Sequence, residues 1–255
     1  MDYWQERTVF VTGGGSGIGQ ATALKFAEAG AHVAILGRTE AKLDATIREV
    51  ADPSRIRKFP VDVTDEKKAL GAVQEAFQWK GRLDAAINVA GIFPSEDVFQ
   101  SDRTYWDSLL NTNLRGTFLV ARAAAEIMKK AGGGAIVNTS SVLAQVADPT
   151  LVTYSATKGA IISLTIAMAV RFAEYNIRVN VVSPADVATP FLEQWINEHD
   201  DPEAIRKQIL SAYPLGYYCE PRDVANVIYF LAGPDARCIT GENIVVDSGL
   251  TKTCY

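Results

Sequence analysis

Short β-branched runs alternate with longer helical stretches along the whole of this sequence, and that alternation leaves few folds open. Thr8-Val9-Phe10-Val11 is the first strand, and residues 17–30 follow as a helix with Ala21, Leu24, Phe26 and Ala27 at its apolar positions. Residues 33–36 are a second strand, 39–50 an amphipathic helix and 57–61 a third strand. A helix over 65–79 takes Thr64 as its cap candidate, and 83–88 is strand four. One long helix is predicted from about Thr104 to Ala131, where Gly132-Gly133-Gly134 stops it. Residues 135–139, 178–183 and 243–247 supply the last strands, separated by helices over 151–174 and 221–231.

Strands joined through helices pair in parallel by right-handed crossovers, and strands that are continuous apolar runs are covered on both faces. The expected fold is therefore α/β: a doubly wound, Rossmann-type parallel sheet of about seven strands with helices on both faces. With 255 residues and no linker, composition break or low-complexity segment, the chain is expected to form a single domain, 1–255. Residues 186–218 have poor periodicity and are the candidate for a flap over a site.

Composition removes several functions. A hydrophobic share of 48% excludes disorder, and a net charge of −5 argues against a nucleic-acid partner. No apolar run reaches the roughly 18–20 residues of a membrane span, so no membrane partner is expected. Met1 to Arg7 has no basic segment leading into an apolar one, as a secretory signal would. Cys219, Cys238 and Cys254 are widely spaced and odd in number, which fits a reducing, cytoplasmic location without disulfides. Of two histidines, His32 opens an apolar run as a structural residue and His199 lies in a solvated acidic stretch. A Ser-His-Asp hydrolase and a histidine-rich metal site are poorly supported, and no metal is expected. Another residue must move protons.

Thr12-Gly13-Gly14-Gly15-Ser16-Gly17-Ile18-Gly19 follows the first strand and opens a helix. Glycines let backbone approach a ligand closely, and a helix N-terminus offers unpaired N–H groups to a pyrophosphate. The alternative is a glycine-rich turn without a ligand, but the strand-to-helix position favours dinucleotide binding. The spacing Gly13, Gly17, Gly19 is not Gly-x-Gly-x-x-Gly, and no Gly-Lys-Ser/Thr follows as in a nucleotide triphosphatase. At the end of strand two, Leu36-Gly37-Arg38-Thr39 has no acid to take a ribose 2′-hydroxyl but offers Arg38 to a 2′-phosphate. NADP is thus favoured, with NAD as the alternative. Asp62-Val63 ends strand three where an adenine edge would lie, and Asn88-Val89-Ala90-Gly91 ends strand four beside the ligand crevice.

Tyr154-Ser155-Ala156-Thr157-Lys158 places a phenol and an amine one turn apart on a predicted helix. A tyrosine titrates near pH 10, and a nearby ammonium lowers that value, so the pair can do the acid–base work the histidines cannot. Alone the spacing is common, and a packed tyrosine with a solvated lysine is the plain alternative. Ser140-Ser141, at the end of strand five, brings a hydroxyl to the same sheet edge; either serine could instead cap the strand.

Taken together, these segments resemble the short-chain dehydrogenase/reductase family, its short single-domain subgroup, over nearly the whole chain. Asn113 in Asn111-Thr-Asn-Leu-Arg-Gly116, Pro184 with Thr189, and Gly241-Glu-Asn followed by Asp247-Ser-Gly249 complete the likeness. The resemblance implies an NAD(P)-dependent enzyme acting on a small-molecule alcohol or ketone, with Tyr154 as general acid/base and Ser141 orienting the substrate oxygen. It implies that Lys158 holds the nicotinamide ribose and lowers the tyrosine pKa. Asn113 would position a water between Lys158 and solvent, and Val187 and Thr189 would meet the carboxamide end. Val89 stands where the family usually has a second Asn, and Ala185 where it has Gly; neither touches the Asn113, Ser141, Tyr154, Lys158 set. The resemblance further implies a homotetramer paired through the two long helices, with Ala121, Ala125, Ala156 and Ala160 permitting close packing. Ile92, Phe93, Val142, Leu143, Phe191, Leu192 and Trp195 are the expected pocket wall, suited to a cyclic or aliphatic substrate. The rival is a non-catalytic dinucleotide-binding regulator on the same scaffold.

Overall fold

The computed structural model describes residues 3–93, 97–197 and 199–253. Its strands are β1 (Thr8–Thr12), β2 (His32–Gly37), β3 (Ile56–Pro60), β4 (Ala85–Asn88), β5 (Gly134–Thr139), β6 (Ile177–Pro184) and β7 (Asn243–Val246). They form one parallel sheet in the order β3-β2-β1-β4-β5-β6-β7. The order reverses between β1 and β4, which opens a crevice at the strands' carboxyl ends.

Both faces of the sheet are covered. Val9, Val11, Ile35, Ile87 and Val137 pack with Phe26 of helix α1 (Gly17–Glu28) and with Ile228 and Leu231 of a C-terminal helix, Pro221–Ala232. Phe10, Leu36, Ala86 and Ile136 pack on the other side, where Val73, Val120 and Met168 come from three further helices. A row of polar side chains crosses the sheet where the strands end: Thr12 is in register with Asn88, and Asn88 with Asn138. Asn88 donates to Asn138 at 2.9 Å, and Asn138 donates to Thr165 at 2.9 Å. The Thr12 hydroxyl accepts the Val89 and Ala90 N–H groups at 3.1 and 3.2 Å, which turns the chain out of β4.

Several elements differ from the sequence expectations. After α2 (Glu40–Arg48), helix α3 (Glu66–Lys80) is capped by Asp65, whose carboxylate accepts the Lys68 N–H at 3.1 Å; the Thr64 hydroxyl donates to Asp62 instead. The single helix expected over 104–131 is α4 (Arg103–Leu109), one turn of π-helix (Leu110–Arg115) and α5 (Gly116–Ala131). Helix α6 is Val152–Phe172. The irregular 186–218 stretch contains α7 (Pro190–Asn197) and α8 (Pro202–Ser211), followed later by α9 (Pro221–Ala232). No residue of α8 is fully buried, so this helix contributes nothing to the buried core.

The segment Val152–Tyr175 is long and apolar enough to span a membrane by length and composition alone, contrary to the expectation from run length. Ile161, Met168 and Ala169 of α6 are buried against the rest of the chain, while Val152, Ile166 and Val170 of the same helix are exposed. His32 is buried and bonds Glu6 at 2.9 Å, which makes it structural; His199 stacks edge-on against Trp195 and is half-buried rather than solvated.

Candidate active site

The cradle is built by backbone proximity. Gly13 has φ +73°, and a Cβ on Gly19 would stand 2.2 Å from the Gly13 carbonyl oxygen, so only glycine fits there. Gly17, at φ +52°, would press a Cβ to 3.0 Å from the Thr189 methyl, which ties the start of α1 to the segment after β6. Ser16 precedes α1 without capping it by its side chain, so the hydroxyl and the first-turn N–H groups face outward.

A cavity of about 410 Å³ runs from this turn across the sheet edge. Gly13, Gly15, Ser16, Gly17 and Ile18 line it, with Arg38, Asp62, Val63, Ala90, Gly91 and Thr189. Gly19 supports the turn from beneath. Asn88 is a correction: it does not line the cavity and is 2% exposed, its Nδ2 donating to Asn138 while its Oδ1 has no partner among the described residues. Arg38 is exposed and has no ion-pair partner among the described residues, and Lys42, not foreseen from the sequence, lines the same wall. One Asp62 carboxylate oxygen takes the Thr64 N–H and hydroxyl at 2.9 and 2.8 Å.

A second cavity, about 580 Å³, shares Ile18, Gly91, Phe93 and Thr189 with the first and contains Ser141, Tyr154, Lys158 and Val187. Tyr154 and Lys158 point the same way from α6, with the Lys158 Nζ 5.3 Å from the Tyr154 ring centre. That amine donates to the Thr139 carbonyl at 3.0 Å, while the Ser140 hydroxyl donates to the Lys158 carbonyl at 2.7 Å. Ser140 is thereby committed to the scaffold. Ser141 accepts the Leu143 N–H at 3.2 Å and hydrogen-bonds Tyr154.

Asn113 is fully buried on the π turn. Its side chain accepts the Ile92 N–H at 2.8 Å, donates to the Ile92 carbonyl at 2.9 Å and reaches Thr157 at 3.3 Å. The amide therefore staples the strand β4 exit to α6. A Cβ on Gly91 would sit 3.2 Å from Asn113 Oδ1 and 3.8 Å from Lys158 Nζ, so these three residues converge.

The electrostatics depart from expectation. Burial pushes the Tyr154 phenol up to about 12, against a smaller lowering by Ser141, and pushes Lys158 down to about 8. Desolvation is the first cause of both shifts, so within the protein alone the phenol is raised, not lowered as the pairing with Lys158 led one to expect.

Ile92, Phe93, Val142, Leu143 and Leu192 line this second cavity as expected. Trp195 does not: its ring packs on His199, 4.5 Å between centres. The Phe191 side chain lies outside the described residues. The sequence reading missed Asp148 and Asp186, both on the cavity wall. Asp186 had one signal, its place directly after the carboxyl end of a strand; Asp148 had none beyond its turn.

A family model described as Enoyl-(Acyl carrier protein) reductase matches residues 13–251. The 3-oxoacyl-(acyl-carrier-protein) reductase FabG of Thermotoga maritima is 36% identical over 245 residues, covering 96% of this chain and 97% of that protein. An NAD-dependent glycerol dehydrogenase of Listeria innocua is 34% identical over 247 residues, covering 96% and 94%. Among solved structures, a short-chain dehydrogenase/reductase of Burkholderia xenovorans superposes with a TM-score of 0.95 at 32% identity, covering 100% of both chains.

Proposed function

This chain belongs to the short-chain dehydrogenase/reductase family and is an NAD(P)-dependent oxidoreductase acting on CH–OH groups, and from that premise we propose that it interconverts a secondary alcohol and a ketone, using NADP(H) and Tyr154 as the proton carrier. The observation that carries the reading is the meeting of Tyr154, Ser141 and Lys158 in a cavity continuous with the glycine cradle.

The residues present fit the cofactor. Glycine at 13 and 19 lets the turn close tightly, since a Cβ on Gly19 would strike the Gly13 carbonyl and one on Gly13 would press on the Ala90 backbone, and the N-terminus of α1 offers its N–H groups to a pyrophosphate. Arg38 and Lys42 on the adenosine wall suit a 2′-phosphate, whereas an NAD-type site would need a carboxylate there. NAD is the alternative, and an NAD-dependent relative shows that family membership does not decide it. Val187 and Thr189, both on the wall of the second cavity, would meet the carboxamide end.

The bound nicotinamide supplies or accepts the hydride. In reduction, the Tyr154 hydroxyl gives its proton to the carbonyl oxygen as negative charge develops, and the Ser141 hydroxyl donates a hydrogen bond to the same oxygen. A phenol raised to about 12 is fully protonated at neutral pH, ready to act as the acid. Oxidation runs the step in reverse, and the Lys158 ammonium then favours the phenolate. Asn113 acts by fixing the β4 exit, and its backbone on the π turn is the part left to position a water. Asp186, Val187, Thr189 and Leu192 on the cavity wall support the 186–218 segment as a flap through its first part, while no residue of α8 lines the cavity.

Exposed Val152, Ile166 and Val170 on α6 support pairing with a second copy in a homotetramer. Ala121 and Ala125 are buried inside the chain and cannot contribute to that pairing, unlike the exposed Ala156. A cytoplasmic location accords with free thiols at Cys219 and Cys238.

A panel of secondary alcohols and ketones, followed by nicotinamide absorbance with each cofactor in turn, tests the proposal. Turnover with NADP(H) is expected. Cofactor binding with no turnover across the panel would favour a non-catalytic regulator.

A further inference from the structure

The wall around Tyr154 is apolar along Val142, Leu143, Leu151 and Leu192, yet two carboxylates enter the same cavity from separate elements. Asp148 comes from the turn before α6, and Asp186 from the segment just after β6. Neither has a cationic partner among the described residues. One Asp148 oxygen is held by the Thr150 N–H at 2.8 Å and the Thr150 hydroxyl at 2.7 Å. One Asp186 oxygen accepts the Tyr213 hydroxyl at 2.7 Å, and the Tyr213 oxygen in turn accepts the Asp186 N–H at 3.1 Å. Tyr213 is itself buried, 4% exposed, so Asp186 is clamped in position rather than free to swing. Among the described residues, neither carboxylate's second oxygen has a protein donor. Among the described residues Lys158 is the one lysine on the cavity wall, and it is tied to the Thr139 carbonyl.

This arrangement carries a cost that a neutral substrate would raise. Asp186 is exposed on the cavity wall, and desolvation together with the Asp148 charge lifts its carboxyl above the ordinary range, against a lowering by the Tyr213 hydroxyl. An apolar substrate would strip its remaining water and return nothing. An anionic substrate would be repelled. A cation held between the two acids would satisfy both open oxygens by charge-assisted hydrogen bonds.

We infer that the substrate is an ammonium-bearing secondary alcohol or ketone, its reacting carbon at Tyr154 and Ser141 and its ammonium group bound by Asp186 and Asp148. This rests on the hydride-transfer reading above and narrows it. The amine takes no part in bond making; it fixes orientation and selects the substrate. Tyr213 is a positioning residue that holds the Asp186 carboxylate toward the cavity.

The test is a matched series that differs at one group: 1-amino-2-propanol, 1,2-propanediol and 2-butanol, each oxidised with NADP by the wild type, Asp186→Asn and Asp148→Asn. Calorimetric binding of the same three compounds to the NADPH-loaded protein, a pairing that cannot react, gives a readout independent of turnover. Thermal midpoints confirm that the variants fold. The amine is expected to exceed both neutral alcohols about tenfold or more in kcat/KM and in affinity, and Asp186→Asn to collapse that ratio. Equal or better use of either neutral alcohol by the wild type, or an unchanged ratio in Asp186→Asn, overturns the inference, as does failure of the amine to bind. Selective binding of the amine with no turnover of any alcohol would uphold the cation site and overturn the hydride-transfer reading alone.

Discussion

The Lys158 ammonium donates to the Thr139 carbonyl at 3.0 Å, while the Tyr154 phenol one turn away hydrogen-bonds the Ser141 hydroxyl. Both members of the pair are thus anchored at the exit of β5, and both line the same cavity. Burial acts on both, raising the tyrosine and lowering the lysine.

Lys158 makes stability depend on pH. Its folded value of about 8 lies below the ordinary 10.5, so the unfolded chain binds more protons between those values and stability rises with pH across that window. Replacing Lys158 with Met removes this term. The stability of Lys158→Met relative to wild type, measured by denaturant unfolding, should be greatest at pH 7. It should fall by on the order of 2–3 kcal/mol by pH 10.5. A pH-independent difference would contradict the desolvated lysine.

Gly19→Ala places a methyl 2.2 Å from the Gly13 carbonyl oxygen, where backbone cannot yield cheaply. The expected result is a loss of about 1–3 kcal/mol in stability and at least tenfold in NADPH affinity, read by unfolding and by fluorescence titration. Gly71→Ala, where a Cβ meets nothing within 4 Å, is the control and should do neither.

Arg38→Ala should weaken NADPH about 10- to 100-fold, the worth of a charge-assisted phosphate contact, and leave NADH affinity unchanged. Equal losses for both cofactors would place Arg38 away from the 2′ position.

Asp65→Ala should cost about 1 kcal/mol as the lost cap of α3, and exceed the cost of Ala at Thr64 as a helix cap.

The sheet was legible because each strand is an apolar run flanked by turn residues, and parallel strands covered on both faces need nothing subtler. The cradle was legible because glycine spacing is itself the geometry. Tyr154 and Lys158 were legible through their shared helix face. What periodicity could not show was the π turn at Leu110–Arg115, since one inserted residue leaves the apolar pattern nearly intact while swinging Asn113 inward. Asn88 misled because an amide at a strand end looks the same whether it faces a ligand or, as here, the neighbouring strand. Asp148 and Asp186 lie far apart in sequence, and only the fold brings them to one cavity.

The proton role of Tyr154 is tested most directly by Tyr154→Phe, with steady-state turnover and NADPH affinity measured on the same preparation. The phenyl ring keeps the packing against Phe93, 5.5 Å between ring centres, and removes only the hydroxyl. Turnover should fall by about 10²- to 10⁴-fold, the usual worth of a general acid, with NADPH affinity within a few-fold of wild type. Retained turnover with intact cofactor binding would show that the proton travels by another route.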